Sequence, residues 1–109
     1  MDRTDSLEAL LARGPDSAML RFTLATAYFD RGELERASLH AEAALALDGE
    51  YSAAWKLLGK IQAARGEPHA AATTYRQGIA VAERRGDLQA AKEMRVFLGR
   101  LEGPRKDRG

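Results

Sequence analysis

Residues 18–51 read AMLRFTLATAYFDRGELERASLHAEAALALDGEY, and residues 52–85 read SAAWKLLGKIQAARGEPHAAATTYRQGIAVAERR. A shift of 34 residues superposes Arg31-Gly32-Glu33 on Arg65-Gly66-Glu67. The same shift pairs residues of similar size, namely Leu24/Leu58, Leu45/Ile79, Ala37/Ala71, Ala25/Gly59 and Ala44/Gly78. Because size and spacing agree at so many positions, we predict that the two stretches are copies of one structural unit.

The composition of the chain favours helices. Its 109 residues suffice for one domain, and the 21 alanines and 14 leucines make up about a third of them. Alanine and leucine are strong helix formers, whereas residues that favour strands are scarce. The sequence has no cysteine, which excludes disulfides and thiolate metal sites. We therefore predict an all-α fold.

Glycine and proline divide the chain into about six predicted helices. Asp5 is predicted to open the first helix through a capping box with Glu8, and either Asp16 or Ser17 is predicted to cap the second helix. Ser52 and Asp87 are predicted to cap later helices. The connections are short, so successive helices should be antiparallel neighbours. The predicted organisation is a single domain over residues 1–102, with an N-terminal cap helix at 5–13, repeats at 18–51 and 52–85, a C-terminal capping helix at 87–102, and a disordered tail at 103–109.

The residues that recur identify the type of repeat. In the second copy they are Trp55, Leu58, Gly59, Ala71, Tyr75 and Gly78, and in the first they are Leu24, Ala25, Tyr28, Ala37 and Ala44. In this pattern and in its period of 34 residues, the chain resembles the tetratricopeptide repeat (TPR) family. It departs from the family signature at Arg21, Gln62 and Ala41, and neither repeat ends in proline. The resemblance implies a right-handed α-solenoid of antiparallel helix hairpins.

The resemblance also implies a binding surface. In TPR proteins the first helix of each repeat lines a concave groove that receives a peptide or a partner helix. The positions of this chain that match the groove are Met19, Phe22, Thr26, Phe29, Asp30, Lys56, Lys60, Ala63 and Ala64. Phe22 and Phe29 lie off the core face, so either the N-terminal helix covers them or they form an apolar pocket. Beside two lysines, such a pocket would suit a large apolar side chain near an acidic group.

One known TPR ligand is not expected. Some members hold the C-terminal carboxylate of chaperones in a clamp of lysine and asparagine, and Lys56 stands where one clamp lysine would. However, Lys60 replaces the asparagine, and Phe22 and Thr26 hold the equivalent positions of the first repeat. A full third repeat is also missing. We therefore do not predict chaperone-tail binding.

No motif in the sequence indicates an enzyme. Neither a phosphate-binding glycine loop nor a Gly-x-Ser-x-Gly elbow occurs. His40 and His69 have no acidic or histidine neighbour at a spacing that suggests a metal pair, so both are predicted to be surface residues. We predict no catalytic residue, no cofactor and no metal. The chain is predicted to be a protein–protein interaction module.

The charge distribution keeps two alternatives open. The formal net charge is +1, but residues 1–50 carry −5 and residues 84–109 carry +4. Opposite ends of two copies could therefore meet in self-association. The predicted oligomeric state is a monomer or a weak homodimer. The weaker alternative is nucleic-acid binding through the basic residues around Phe97, which are Arg84, Arg85, Lys92, Arg95, Arg100, Arg105 and Lys106. Without an apolar run or a basic leader at the N-terminus, a cytoplasmic location is expected and no membrane contact.

Overall fold

The structure is a computed structural model that describes residues 2–103. Six α-helices and no strand occur in that range. They are α1 (Arg3–Arg13), α2 (Ala18–Asp30), α3 (Leu34–Leu47), α4 (Ser52–Ala64), α5 (Pro68–Arg85) and α6 (Leu88–Glu102). The predicted tail lies outside the described residues except for Gly103, whose amide donates to the Gly99 carbonyl oxygen at the end of α6.

The helices form two layers of an elongated stack. α2 packs against α3 and α4 against α5 as hairpins, while α1 packs on α2 and α6 packs on α5. α4 also touches α2 on one side and α6 on the other, so these alternate helices form one layer. The principal extents of 57 × 29 × 18 Å follow from adding hairpins along one direction.

Three glycines make the turns that end α2, α4 and α5. Gly32, Gly66 and Gly86 have φ values of 78°, 79° and 77°, a left-handed conformation that side chains with a Cβ rarely adopt. After the first two, the amides of Glu33 and Glu67 each donate to a carbonyl oxygen five residues back, at 2.9 Å. The repeated Arg-Gly-Glu sequence therefore encodes one repeated turn.

Small residues lie where the two helices of a hairpin touch. Ala25, Ala37 and Ala71 are fully buried. At Gly59, an added Cβ would lie 2.3 Å from Cε1 of Tyr75, so the ring of α5 fills the space beside α4. A larger side chain at these positions would separate the helices, as the sequence pattern indicates.

The structure confirms two predicted caps and corrects two. The side chains of Ser17 and Asp87 accept hydrogen bonds from the first turns of α2 and α6. The first helix begins at Arg3 because Asp2 is its cap, with Asp5 as the reciprocal partner of the capping box. The predicted start at residue 5 was therefore wrong. Ser52 does not cap α4, since its hydroxyl donates to Asp87 at 2.6 Å.

The spacing between the starts of α4 and α6 is longer than the period of the repeat. α4 begins 34 residues after α2, whereas α6 begins 36 residues after α4, because α5 is four residues longer than α3 and the connection that follows it is two residues shorter. On its outer side α6 is tied to α5 by ion pairs of Arg95 with Glu83 and of Glu102 with Arg76. A charged outer side of this kind suits the last helix of a stack.

Candidate binding groove

The residues predicted to line a groove lie on α2 and α4. On α2, Met19 is 70% exposed and Asp30 is exposed, whereas Phe22, Thr26 and Phe29 are half-buried. On α4, Lys60 and Ala64 are exposed, whereas Lys56 and Ala63 are half-buried. The predicted residues thus share one layer, and their side chains differ in how far they reach into solvent.

The two phenylalanines of α2 face the neighbouring helix α4. The ring of Phe22 lies 5.1 Å from the ring of Tyr51, the residue that precedes α4. The Nζ atom of Lys60 lies 5.7 Å from the centre of the Phe29 ring, a cation–π distance. Both rings also pack on the core of the first repeat. Both rings are half-buried, and we call Phe22 and Phe29 the floor of the predicted groove.

Lys56 is held by a residue that sequence reasoning missed. Its Nζ atom lies 2.5 Å from Oε1 of Glu93 on α6, and the side-chain amide of Gln89 donates to Oε2 of the same carboxylate at 3.0 Å. The hydrogen bond from Lys56 lowers the pKa of Glu93, with a further contribution from Gln89. Lys56 is therefore half of an ion pair, whereas the sequence suggested a cation open to a ligand.

α6 packs beside α4 and continues the layer of α2 and α4 beyond the two repeats. Applying the spacing of 36 residues between the starts of α4 and α6, Val96 and Gly99 match Lys60 and Ala63. Val96 is 47% exposed, and a Cβ added at Gly99 would meet no atom within 4 Å. Val96 and Gly99 therefore form a small exposed apolar patch on α6.

A cleft of about 450 Å³ opens where α4 and α6 begin. Met19, Tyr51 and Ala53 line its apolar side, and Asp48, Glu50, Arg85 and Asp87 are among the charged residues around it. Glu50 is paired with Arg84 at 2.6 Å, which holds the pKa of that carboxyl below its usual range. The cleft therefore has a mixed lining of apolar, acidic and basic side chains, and it does not include Phe22 or Phe29.

His40 is buried, so its prediction as a surface residue was wrong. Its ring stacks on that of Tyr28 at 5.6 Å and an angle of 6°, and its Nδ1 lies 3.0 Å from a guanidinium nitrogen of Arg21. Nε2 lies 3.5 Å from the carboxylate of Glu8, which also accepts from the Tyr28 hydroxyl at 2.5 Å. The cluster fastens α1 to the first repeat. The members of the cluster come from three helices, α1, α2 and α3, that no local motif connects.

The described residues hold neither a metal cluster nor a membrane span. Within residues 2–103, no three histidine, aspartate or glutamate side chains are grouped to bind a metal ion. Over the same range, no helix has the length and the apolar character needed to cross a bilayer.

Comparison with known proteins identifies the class to which this repeat belongs. The chain is 46% identical over 101 residues to the TPR repeat-containing protein PA0015 of Pseudomonas aeruginosa, covering 93% of this chain and 96% of that protein. No family model matches the sequence. The chain belongs to the TPR family, as the residue pattern indicated.

Two solved structures share the fold. The solution structure of protein BPP2914 from Bordetella parapertussis matches with a TM-score of 0.84 at 43% identity, covering 94% of this chain and 89% of that one. A tetratricopeptide repeat domain protein from Salinibacter ruber matches with a TM-score of 0.77 at 25% identity, covering 89% and 98%. The predicted fold class, an all-α solenoid of helix hairpins, is confirmed. Proteins of this fold are generally non-enzymatic scaffolds that mediate protein–protein interaction.

Proposed function

We propose that the protein is an interaction module that holds a peptide segment of another protein along α2, α4 and α6. The observation that carries the proposal is the floor of the groove, where Phe22 and Phe29 are half-buried against Tyr51 and Lys60. Rigid aromatic side chains that keep one side accessible are common anchors in protein interfaces. Beside them, Met19 and Val96 add exposed apolar surface.

The charges of the groove favour a peptide that combines an apolar anchor with a carboxylate. Lys56 and Lys60 lie on α4, and Lys92 and Arg100 are exposed on α6, against Asp30 and Glu93. This excess of cations complements an acidic group, and the phenylalanines complement a large apolar side chain. The proposed ligand is therefore a peptide with a leucine- or aromatic-type residue near an acidic residue or a C-terminal carboxylate.

The test is selection from a displayed library of random 12-residue peptides, followed by affinity measurement of the selected peptides. Met19→Glu combined with Lys60→Glu should weaken binding about tenfold or more, because one change puts a charge on the apolar floor and the other removes a cation. The matched control is Leu39→Glu on α3, since Leu39 is 59% exposed and lies in the other layer. Equal binding by parent and groove variant would refute the proposal, provided that circular dichroism shows equal helicity.

The structure favours this function over the two alternatives. Self-association through opposite charges is weakened because several acidic groups of the first half are already paired within the chain, including Asp16 with Arg21 and Glu50 with Arg84. Nucleic-acid binding is weakened in the same way, since Arg84 and Arg95 are paired with glutamates, while Arg105 and Lys106 lie outside the described residues. Sedimentation across a concentration series tests the first alternative, and a salt-dependent titration with DNA and RNA tests the second. A cytoplasmic location stays a prediction.

A further inference from the structure

The ion pair of Lys56 and Glu93 joins two helices across the groove. The carboxylate is bonded at both oxygens, to Lys56 at 2.5 Å and to Gln89 at 3.0 Å. The Lys56 side chain is 29% exposed and the Glu93 side chain 37%, so the pair lies at the groove surface with water beside it. Lys60 also contributes to lowering the pKa of Glu93, which places this carboxylate in the field of both groove lysines.

The pair is not needed to hold α4 and α6 together. A half-exposed ion pair adds little to stability, since the Coulomb attraction is offset by lost hydration and side-chain entropy. The two helices already meet α5 at a packed junction, where Gly78 lies against both Trp55 and Met94. A position at the groove surface, in reach of both lysines, is instead where the carboxylate of a bound peptide would be expected.

We propose that Glu93 is an internal substitute for a ligand carboxylate, and that an acidic group of the partner binds Lys56 by displacing it. The inference rests on the function proposed above and adds a selectivity residue to it. With Glu93 in place, Lys56 is neutralised, so the preference of the resting groove for an acidic group depends on its other cations, Lys60, Lys92 and Arg100. A partner carboxylate that binds Lys56 must displace Glu93. The binding free energy that it adds is therefore only the difference between its own interaction with Lys56 and the interaction of Glu93 with Lys56.

The first test uses acetate alone as the probe and needs no peptide. The Nζ resonance of Lys56 is followed by NMR during titration with sodium acetate, with sodium chloride at equal ionic strength as the reference. We expect acetate to shift the resonance in the Glu93→Gln protein at concentrations about tenfold lower than in the parent. The matched control is Glu102→Gln, because Glu102 lies on the same helix and pairs with Arg76 at 2.5 Å outside the groove. An equal response of Lys56 in parent and Glu93→Gln would overturn the inference.

The second test uses the peptide library and separates this inference from the proposed function. Glu93→Gln should select peptides enriched in aspartate and glutamate over those that the parent selects, and Lys56→Met added to Glu93→Gln should abolish the enrichment. Each selected peptide is made in two forms, one with a free C-terminal carboxylate and one with an amidated C-terminus. Comparing the affinities of the two forms distinguishes a terminal carboxylate from a side-chain carboxylate as the group that binds. If the parent binds peptides in the groove but Glu93→Gln selects the same composition, the inference is wrong and the groove function stands. If no variant retains a peptide, the groove function itself is wrong.

Discussion

The Sδ atom of Met94 lies 2.6 Å from the point where a Cβ on Gly78 would stand, and the Cβ of Trp55 lies 2.7 Å from the same point. Gly78 therefore marks the junction of three helices, α4, α5 and α6. Met94 is fully buried, and the Trp55 Cβ is held by its backbone, so neither neighbour can withdraw easily. The close approach at this position fastens the last helix to the second repeat.

Replacing Gly78 by alanine should destabilise the protein. The added methyl group has no space at the junction, and overpacking of this kind costs about 1–3 kcal/mol in the free energy of unfolding. Urea unfolding followed by circular dichroism measures the change. The matched control is Gly99→Ala on α6, where nothing lies within 4 Å, and there the gain in helix propensity should stabilise by about 0.5–1 kcal/mol. Destabilisation of the same size in both variants would contradict the packing described here.

The register of the repeats can be tested at Ala71. This residue is fully buried between helices, whereas Ala80 of the same helix is exposed. Ala71→Leu should lower the free energy of unfolding by about 1–3 kcal/mol because the larger side chain forces α4 and α5 apart. Ala80→Leu should change it by less than about 0.5 kcal/mol. Equal stability of the two variants, measured by thermal and urea unfolding, would show that the register is wrong.

Asp87 should stabilise the start of α6. Its side chain accepts from the Ala90 amide and from the Ser52 hydroxyl, and the Ser52 hydrogen bond is the main reason that its pKa is lowered. Asp87→Ala should cost about 1 kcal/mol, whereas Asp87→Asn keeps a cap acceptor and should cost less. Hydrogen exchange of the first-turn amides of α6 should accelerate in the alanine variant only. Unchanged exchange there would rule out the cap.

Burial of His40 should make the stability of the protein depend on pH. Removal from water lowers the pKa of His40 below its ordinary value of 6.5, although Glu8 opposes the shift. The folded state therefore favours the neutral ring, whereas the unfolded chain binds a proton near pH 6.5. The contribution of His40 is complete above pH 6.5 and is lost as the pH falls through the lowered pKa of the folded state.

Urea unfolding at a series of pH values between about 7.5 and 5 measures this effect. His40→Gln should flatten the pH profile of the free energy of unfolding, while His69→Gln, on the exposed surface of α5, should leave the parent profile unchanged. A parent protein that gains stability on acidification through this range would contradict the assignment.

Local sequence patterns were enough to predict the fold, because they depend on neighbours along one helix or one turn. The Arg-Gly-Glu turns and the small residues at Ala25 and Gly59 repeat at a fixed distance, so both could be found by shifting the chain against itself. The caps show the limit of this reasoning. Ser52 has the right chemistry for an N-cap, but Asp87, 35 residues away, takes its hydroxyl as a donor.

Contacts between distant helices could not be predicted in the same way. The predicted groove positions of α2 and α4 were derived from the repeat. Glu93 could not be derived in this way, because it is 37 residues from Lys56 and lies on a helix displaced by the longer α5. The burial of His40 likewise depends on Glu8 and Arg21, which α1 and α2 bring to it from outside its own repeat helix. Such pairings depend on the relative orientation and the axial position of the packed helices. The periodicity of the sequence alone does not determine either of them.

The polar attachment of α1 has a consequence for how the protein loses its structure. α1 is fastened by hydrogen bonds of Glu8 with Tyr28 and of Thr4 with Arg31, and by half-buried leucines on the core of the first repeat. Each helix of a linear array is stabilised only by its nearest neighbours, so a terminal helix has fewer of them than an inner one. Melting should therefore begin as fraying of α1, a partial opening that exposes one flank of the first hairpin while the junction around Gly78 stays closed.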